Sequence, residues 1–167
     1  MRFRPTLGQL AHVLMIVTLC IALWKLVARE NGNKPWTTYK HGDHLASTIW
    51  RTMPDAKRTV VVVTRSECGF CTASMPFYGD LVRVAASSGV EVVSVTPEDN
   101  ATNQRYLESH GVHVSRTIQL KDTPLKVLGT PTLIVMDQSK MVLGAWVGKL
   151  VSDDQEKVLQ LVRSGYL

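Results

Sequence analysis

Hydrophobic residues fall along this chain in patterns that differ from segment to segment. Residues 7–27, LGQLAHVLMIVTLCIALWKLV, form an apolar run interrupted by Gln9, His12, Thr18 and Lys25. Residues 59–64, TVVVVT, are a continuous β-branched stretch, the pattern of a strand covered on both faces of a central sheet. Beyond it, Cys71, Met75, Tyr78, Val82 and Ala85 recur at alternating spacings of four and three, which predicts a helix with one buried face. Pro76 lies inside that helix and is expected to kink it, and Ser87, Ser88 and Gly89 end it. Residues 90–95 predict a second strand, and residues 97–100 supply breaker and cap for a helix running to about His110 and closed by Gly111. A short extended piece follows over 112–118, with a polar turn at 121–124. Residues 132–136 and 141–147 flank Asp137, Gln138, Ser139 and Lys140 as a hairpin. Ser152 with Gln155 reads as a capping box for a last helix carrying Val158, Leu161 and Val162. The order strand, helix, strand, helix, hairpin, helix predicts an α/β sheet with helices on its faces.

The N-terminal run decides the domain organisation. A helix of about 20 residues spans a bilayer's hydrocarbon, and residues 7–27 reach that length if their flanking polar groups snorkel. The strongest part, residues 13–24, also fits a secretory h-region behind Arg2 and Arg4. The best small-residue cleavage site, Ala28, has Leu26 where a small side chain is wanted, so an uncleaved transmembrane anchor is preferred to a signal peptide. Basic residues on both sides of the run leave the positive-inside rule undecided. Residues 30–37, ENGNKPWT, have the composition of a tether. The expected division is an anchor or signal peptide over 1–28, a linker over 29–38 and one folded domain over 39–167.

Composition changes the picture mainly by exclusion. The chain has 167 residues, 45% hydrophobic and 20% charged, which suits one globular domain with a core. Its formal charge of +5 is concentrated at the start: residues 1–34 carry Arg2, Arg4, Lys25, Arg29 and Lys34 against Glu30 alone. The remaining residues hold 14 Lys and Arg against 13 Asp and Glu, so the domain has no basic stripe and nucleic acid is not an expected partner. Of three cysteines, Cys20 belongs to the apolar run, while Cys68 and Cys71 form a CxxC pair at the junction of strand and helix. A helix N-terminus stabilises a thiolate on the first cysteine, and the second lies one turn on. Cys68 is thus the expected nucleophile and Cys71 the thiol that resolves a mixed disulfide. Structural zinc needs further ligands at matching spacing, and none is present, so no metal is expected.

The segment TVVVVTRSECGFCTASMP, with Pro76 five residues after Cys71, resembles the active-site strand and helix of the thioredoxin superfamily, and GTPTLIVMD over residues 129–137 is similar to its second signature. The resemblance covers about residues 40–165. It implies a thioredoxin-like fold, a central mixed sheet flanked by helices, with a helical and extended insertion before the cis-proline. It further implies that Pro131 is that cis-proline, facing the CxxC, and that Thr130 offers its backbone to an extended substrate peptide. The insertion and the N-terminal anchor look like membrane-tethered oxidoreductases of the TlpA and cytochrome-maturation type. The implied activity is thiol-disulfide exchange with protein thiols and disulfides and with a redox partner, at the extracytoplasmic, periplasmic face of a bacterial inner membrane. No cofactor beyond the Cys68–Cys71 disulfide is expected.

Departures from the superfamily pattern bear on the chemistry. Glu67 stands where thioredoxins commonly have Trp, and Val62 where they have a buried Asp. Glu67 is a candidate proton shuttle to Cys71 or a solvated carboxylate whose charge disfavours the Cys68 thiolate. Gly69 and Phe70 form the dipeptide between the cysteines, a position that tunes redox potential. Two other functions compete. A peroxiredoxin wants Thr three residues before its reactive cysteine, where this chain has Arg65. A copper metallochaperone or a non-enzymatic adaptor would use the same dithiol.

Overall fold

The structure, a computed structural model, describes residues 12, 15–22, 25, 39–45 and 55–164. The chain divides into two compact units, Met1–Pro35 and Trp36–Leu167. In the first, the described residues 12, 15–22 and 25 are helical and are labelled α1, and Met15, Ile16, Val17, Leu19 and Ile21 are all exposed. Among the described residues no helix is long and apolar enough to cross a membrane. Most of the expected anchor, and the expected linker up to residue 38, lie outside the described residues.

The second unit is built from β1 (Arg58–Val63), α2 (Gly69–Thr72), α3 (Met75–Ser87), β2 (Glu91–Thr96), α4 (Asn100–Ser109), β3 (Arg116–Gln119), β4 (Thr132–Asp137), β5 (Val142–Val147) and α5 (Ser152–Ser164). They form a mixed five-stranded sheet in the order β3-β2-β1-β4-β5. β1 runs parallel to β2, and β2 to β3, whereas β4 is antiparallel to β1 and to β5. β1 is central, and all six of its residues are buried. Val60 and Val62 enter one core with Tyr78, Leu81, Val158 and Leu161 beneath α3 and α5. Val61 and Val63 enter a second core with Leu45, Val93, Ile134 and Met136 on the opposite face. Two covered faces explain why the strand is apolar throughout instead of alternating, and each buried valine contributes about 1.5–3 kcal/mol.

Three local expectations are corrected. The helix after Cys71 is not continuous and kinked: it stops at Thr72 and restarts at Met75, with Pro76 in the first turn of α3. Pro76 has no N–H to give to the Thr72 carbonyl, so the chain tightens through Ser74 N–H to Cys71 C=O at 3.0 Å before a new helix begins. The capping box at Ser152 does not form. Ser152 is the first helical residue, and the Gln155 side chain donates instead to the Leu150 carbonyl at 3.0 Å. The extended piece expected over 112–118 is regular only in β3, where it joins the sheet as an edge strand.

Candidate active site

Parallel strands end at the same edge of a sheet, so the loops after β1 and β2 are neighbours. Thr64, just beyond β1, donates its N–H to Val95 of β2 at 3.0 Å. The chain then turns over residues 65–68, closed by Cys68 N–H to Arg65 C=O at 3.1 Å. Ser66 in this turn is gripped by Glu98 of the β2–α4 loop: its hydroxyl donates to Oε1 at 2.6 Å and its N–H to Oε2 at 3.0 Å. Cys68 is the N-cap of α2, and its Sγ accepts the Cys71 N–H at 3.1 Å.

Cys68 and Cys71 are joined in a disulfide with Cα atoms 5.1 Å apart. Their access to solvent differs. Cys68 is 7% exposed and Cys71 is 0% exposed, so any partner in exchange must meet Cys68 first. Across from them the Thr130–Pro131 bond is cis, and the Thr130 carbonyl oxygen lies 3.3 Å from Cys68 Sγ. Gly148 holds this loop from behind, donating its N–H to the Pro131 carbonyl at 2.7 Å from a left-handed conformation (φ 88°) that favours glycine. The structure thus brings Cys68, Cys71, Thr130 and Pro131 together.

The dipeptide and Glu67 lie at the rim. Gly69 and Glu67 are exposed, Phe70 is 67% exposed, and the space where a Gly69 Cβ would point is open. Glu67 makes no hydrogen bond or ion pair to the dithiol. The carboxylate built into the site is Glu98, whose place along the chain marks it only as part of a breaker and cap. The available signal was positional: Glu98 follows a strand parallel to β1, at the same sheet edge as the CxxC.

Two further features went unanticipated. Thr72 shares a hydrogen bond with the Tyr106 hydroxyl at 2.9 Å, linking α2 to α4. Burial raises the pKa of Tyr106, a hydrogen bond with Thr72 opposes that rise, and the Glu98 charge adds to it. Tyr78, beneath α3, is raised well above its ordinary value by burial, against a lowering hydrogen bond with Ser74. Near Val62, where the superfamily's acid is missing, the sheet carries a neutral polar cluster. Thr64 Oγ1 donates to Asn103 Oδ1 at 3.0 Å, Asn103 Nδ2 donates to Ser94 Oγ at 2.7 Å, and Thr64 and Ser94 hydroxyls lie 3.3 Å apart. All three residues are fully buried. Among the described residues, no group of three His, Cys, Asp or Glu side chains is assembled that could hold a metal ion.

Residues 40–160 match the family model Redoxin. The fold is similar to a thioredoxin-family thiol:disulfide interchange protein from Chlorobium tepidum TLS, at 20% identity over 65% of this chain and 81% of that one, TM-score 0.54. It is also similar to a thiol-disulfide isomerase from Corynebacterium glutamicum, at 16% identity over 75% of this chain and 92% of that one, TM-score 0.53. A thiol:disulfide interchange protein from Bacteroides sp. matches at 16% identity over 65% and 74% of the two chains, TM-score 0.53. No curated protein sequence matches the chain. With a cis-proline opposite a CxxC disulfide on this sheet, the chain belongs to the Redoxin family and is a thioredoxin-like oxidoreductase.

Proposed function

We propose that the chain exchanges disulfides with protein clients, with Cys68 as nucleophile, Cys71 as resolving thiol, and the Thr130–Pro131 backbone as the docking edge for the client. The observation that carries this reading is the disulfide-bonded pair in which Cys68 alone retains access and its sulfur faces the Thr130 carbonyl. In the reducing direction, the Cys68 thiolate attacks a client disulfide sulfur and forms a mixed disulfide, releasing one client thiolate. The Cys71 thiolate then attacks Cys68 Sγ, releasing the second client thiol and closing the Cys68–Cys71 bond. Two electrons pass from the dithiol to the client, and the same steps in reverse oxidise a client dithiol. Gly69 and Phe70 sit at the rim, where Phe70 offers an apolar contact to an arriving chain.

The test is equilibration of the purified protein with glutathione redox buffers, together with turnover of a disulfide-bonded protein such as insulin. The expected result is reversible interconversion of dithiol and disulfide with measurable client turnover. A pair inert to both would overturn the proposal and favour the metal-holding or adaptor use of the same thiols.

We further propose that residues 1–28 tether the domain to a membrane with the domain on the extracytoplasmic side. The support is the apolar run over 7–27 and the exposure of five large apolar side chains along α1. The full chain is expected to remain in the membrane pellet after alkaline carbonate washing, while residues 39–167 alone stay soluble. Release of the full chain by the wash would sink this part of the reading.

A further inference from the structure

We propose that Glu98 is a positioning residue for the dithiol, acting through Ser66 and the turn that delivers Cys68. This rests on the thiol-exchange reading above and deepens it.

Every polar group of Glu98 is committed. Its N–H donates to Thr96 Oγ1 at 3.1 Å, and its carbonyl accepts from Gln119 Nε2 at 3.0 Å. Thr96 ends β2 and is fully buried, and Gln119 ends β3, so two neighbouring strands fix the backbone of Glu98 to the sheet. Its two carboxylate oxygens take the two donors of Ser66, at 2.6 and 3.0 Å. A carboxylate accepting a hydroxyl and a backbone N–H from one residue sets both the place and the orientation of that residue. Ser66 is the second residue of the turn whose fourth is Cys68, and the Cys68 N–H closes that turn on Arg65. Rigid strand ends therefore hold Glu98, Glu98 holds the turn, and the turn sets where Cys68 Sγ meets the Cys71 N–H and the Thr130 carbonyl.

Charge acts in the same sense as position. The ion pairs Arg83–Asp80, Lys157–Asp154 and Arg163–Glu156 do not involve Glu98. The Glu98 charge, set beside a turn that also carries Arg65 and Glu67, disfavours the thiolate form of Cys68 and so favours the disulfide. Ordering the turn raises the effective concentration of one sulfur at the other, which also favours the disulfide. Loss of Glu98 is expected to move the equilibrium toward the dithiol by both routes.

The experiment is the equilibrium constant of the Cys68–Cys71 pair against glutathione, with the pH profile of Cys68 alkylation and a thermal melt, for wild type, Glu98→Ala, Glu98→Gln, Ser66→Ala and the Ser66→Ala/Glu98→Ala double variant. Glu98→Ala should shift the constant about tenfold toward the dithiol, about 30 mV for a two-electron couple. Glu98→Gln keeps an acceptor but loses the charge and should lower the alkylation midpoint with a smaller shift of the constant. Ser66→Ala should shift it in the same direction, and the double variant should be no worse than Glu98→Ala alone, as expected for two ends of one contact. Constants within twofold of wild type in Glu98→Gln and Ser66→Ala, whatever the melt shows, would reduce Glu98 to a structural role and overturn the proposal. If Glu98→Ala fails to fold, the other two variants still decide. A wild-type pair that does not equilibrate with glutathione overturns the exchange reading itself, and with it this proposal.

Discussion

Replacing Cys71 with serine while Cys68 is kept is expected to stop turnover and to accumulate the protein as mixed disulfides with its clients. The reason is geometric. Cys71 has no exposed surface and its sulfur is bonded to Cys68, so in the proposed exchange it has no route to a client and would serve the step that releases one. Without it, the bond between Cys68 and a client persists until an external thiol arrives. Cys68→Ser is expected to stop turnover with no adducts, because the remaining thiol is enclosed. The two variants are distinguished on non-reducing gels after rapid alkylation. Adducts formed equally well by Cys68→Ser would reverse the assignment of nucleophile and resolving thiol.

The second large effect is expected on stability. Asn103→Ala removes the hub of the buried cluster, leaving the Thr64 hydroxyl without its acceptor and the Ser94 hydroxyl without its donor. These groups have no exposure and keep only their 3.3 Å contact with each other, so the cost is about 1–3 kcal/mol. Exchanging all three for apolar residues of similar shape, Thr64→Val, Ser94→Ala and Asn103→Leu, should cost less than Asn103→Ala alone, because no donor or acceptor is stranded. Urea unfolding of the two variants checks the order. A triple variant less stable than the single one would show that the cluster contributes net stability and is not merely costly to leave incomplete.

Much of the fold was legible because its patterns are set by burial. The valines of β1 face two cores at once, and a strand enclosed in that way is apolar at every position. The cysteine spacing together with the Thr130–Pro131 motif marked both sides of the site, and these residues meet as the resemblance implied. The break between α2 and α3 was harder to read. Its apolar spacing continues smoothly from Cys71 through Met75 to Tyr78, and only the missing Pro76 donor reveals where hydrogen bonding fails. Glu98 and Asn103 were less visible still. Each acts through a partner more than thirty residues away, Ser66 and Thr64, and polar contacts at that separation leave no periodicity along the chain. Glu67 shows the converse case: a carboxylate beside the cysteine in sequence points to solvent, while one distant in sequence is built into the turn.

β3 has a consequence for how clients are met. It is four residues long and carries Arg116, Thr117 and Gln119 around the single buried Ile118. Short, polar border strands of this kind are poor templates for pairing with a foreign chain. An extended client is therefore steered away from adding itself to this side of the sheet as a sixth strand. On the docking proposed above, backbone recognition would fall to the short segment at Thr130, engaging only a few residues on either side of the client's cysteine. Contact of that extent would read the local surroundings of a cysteine and make little demand on the rest of the client.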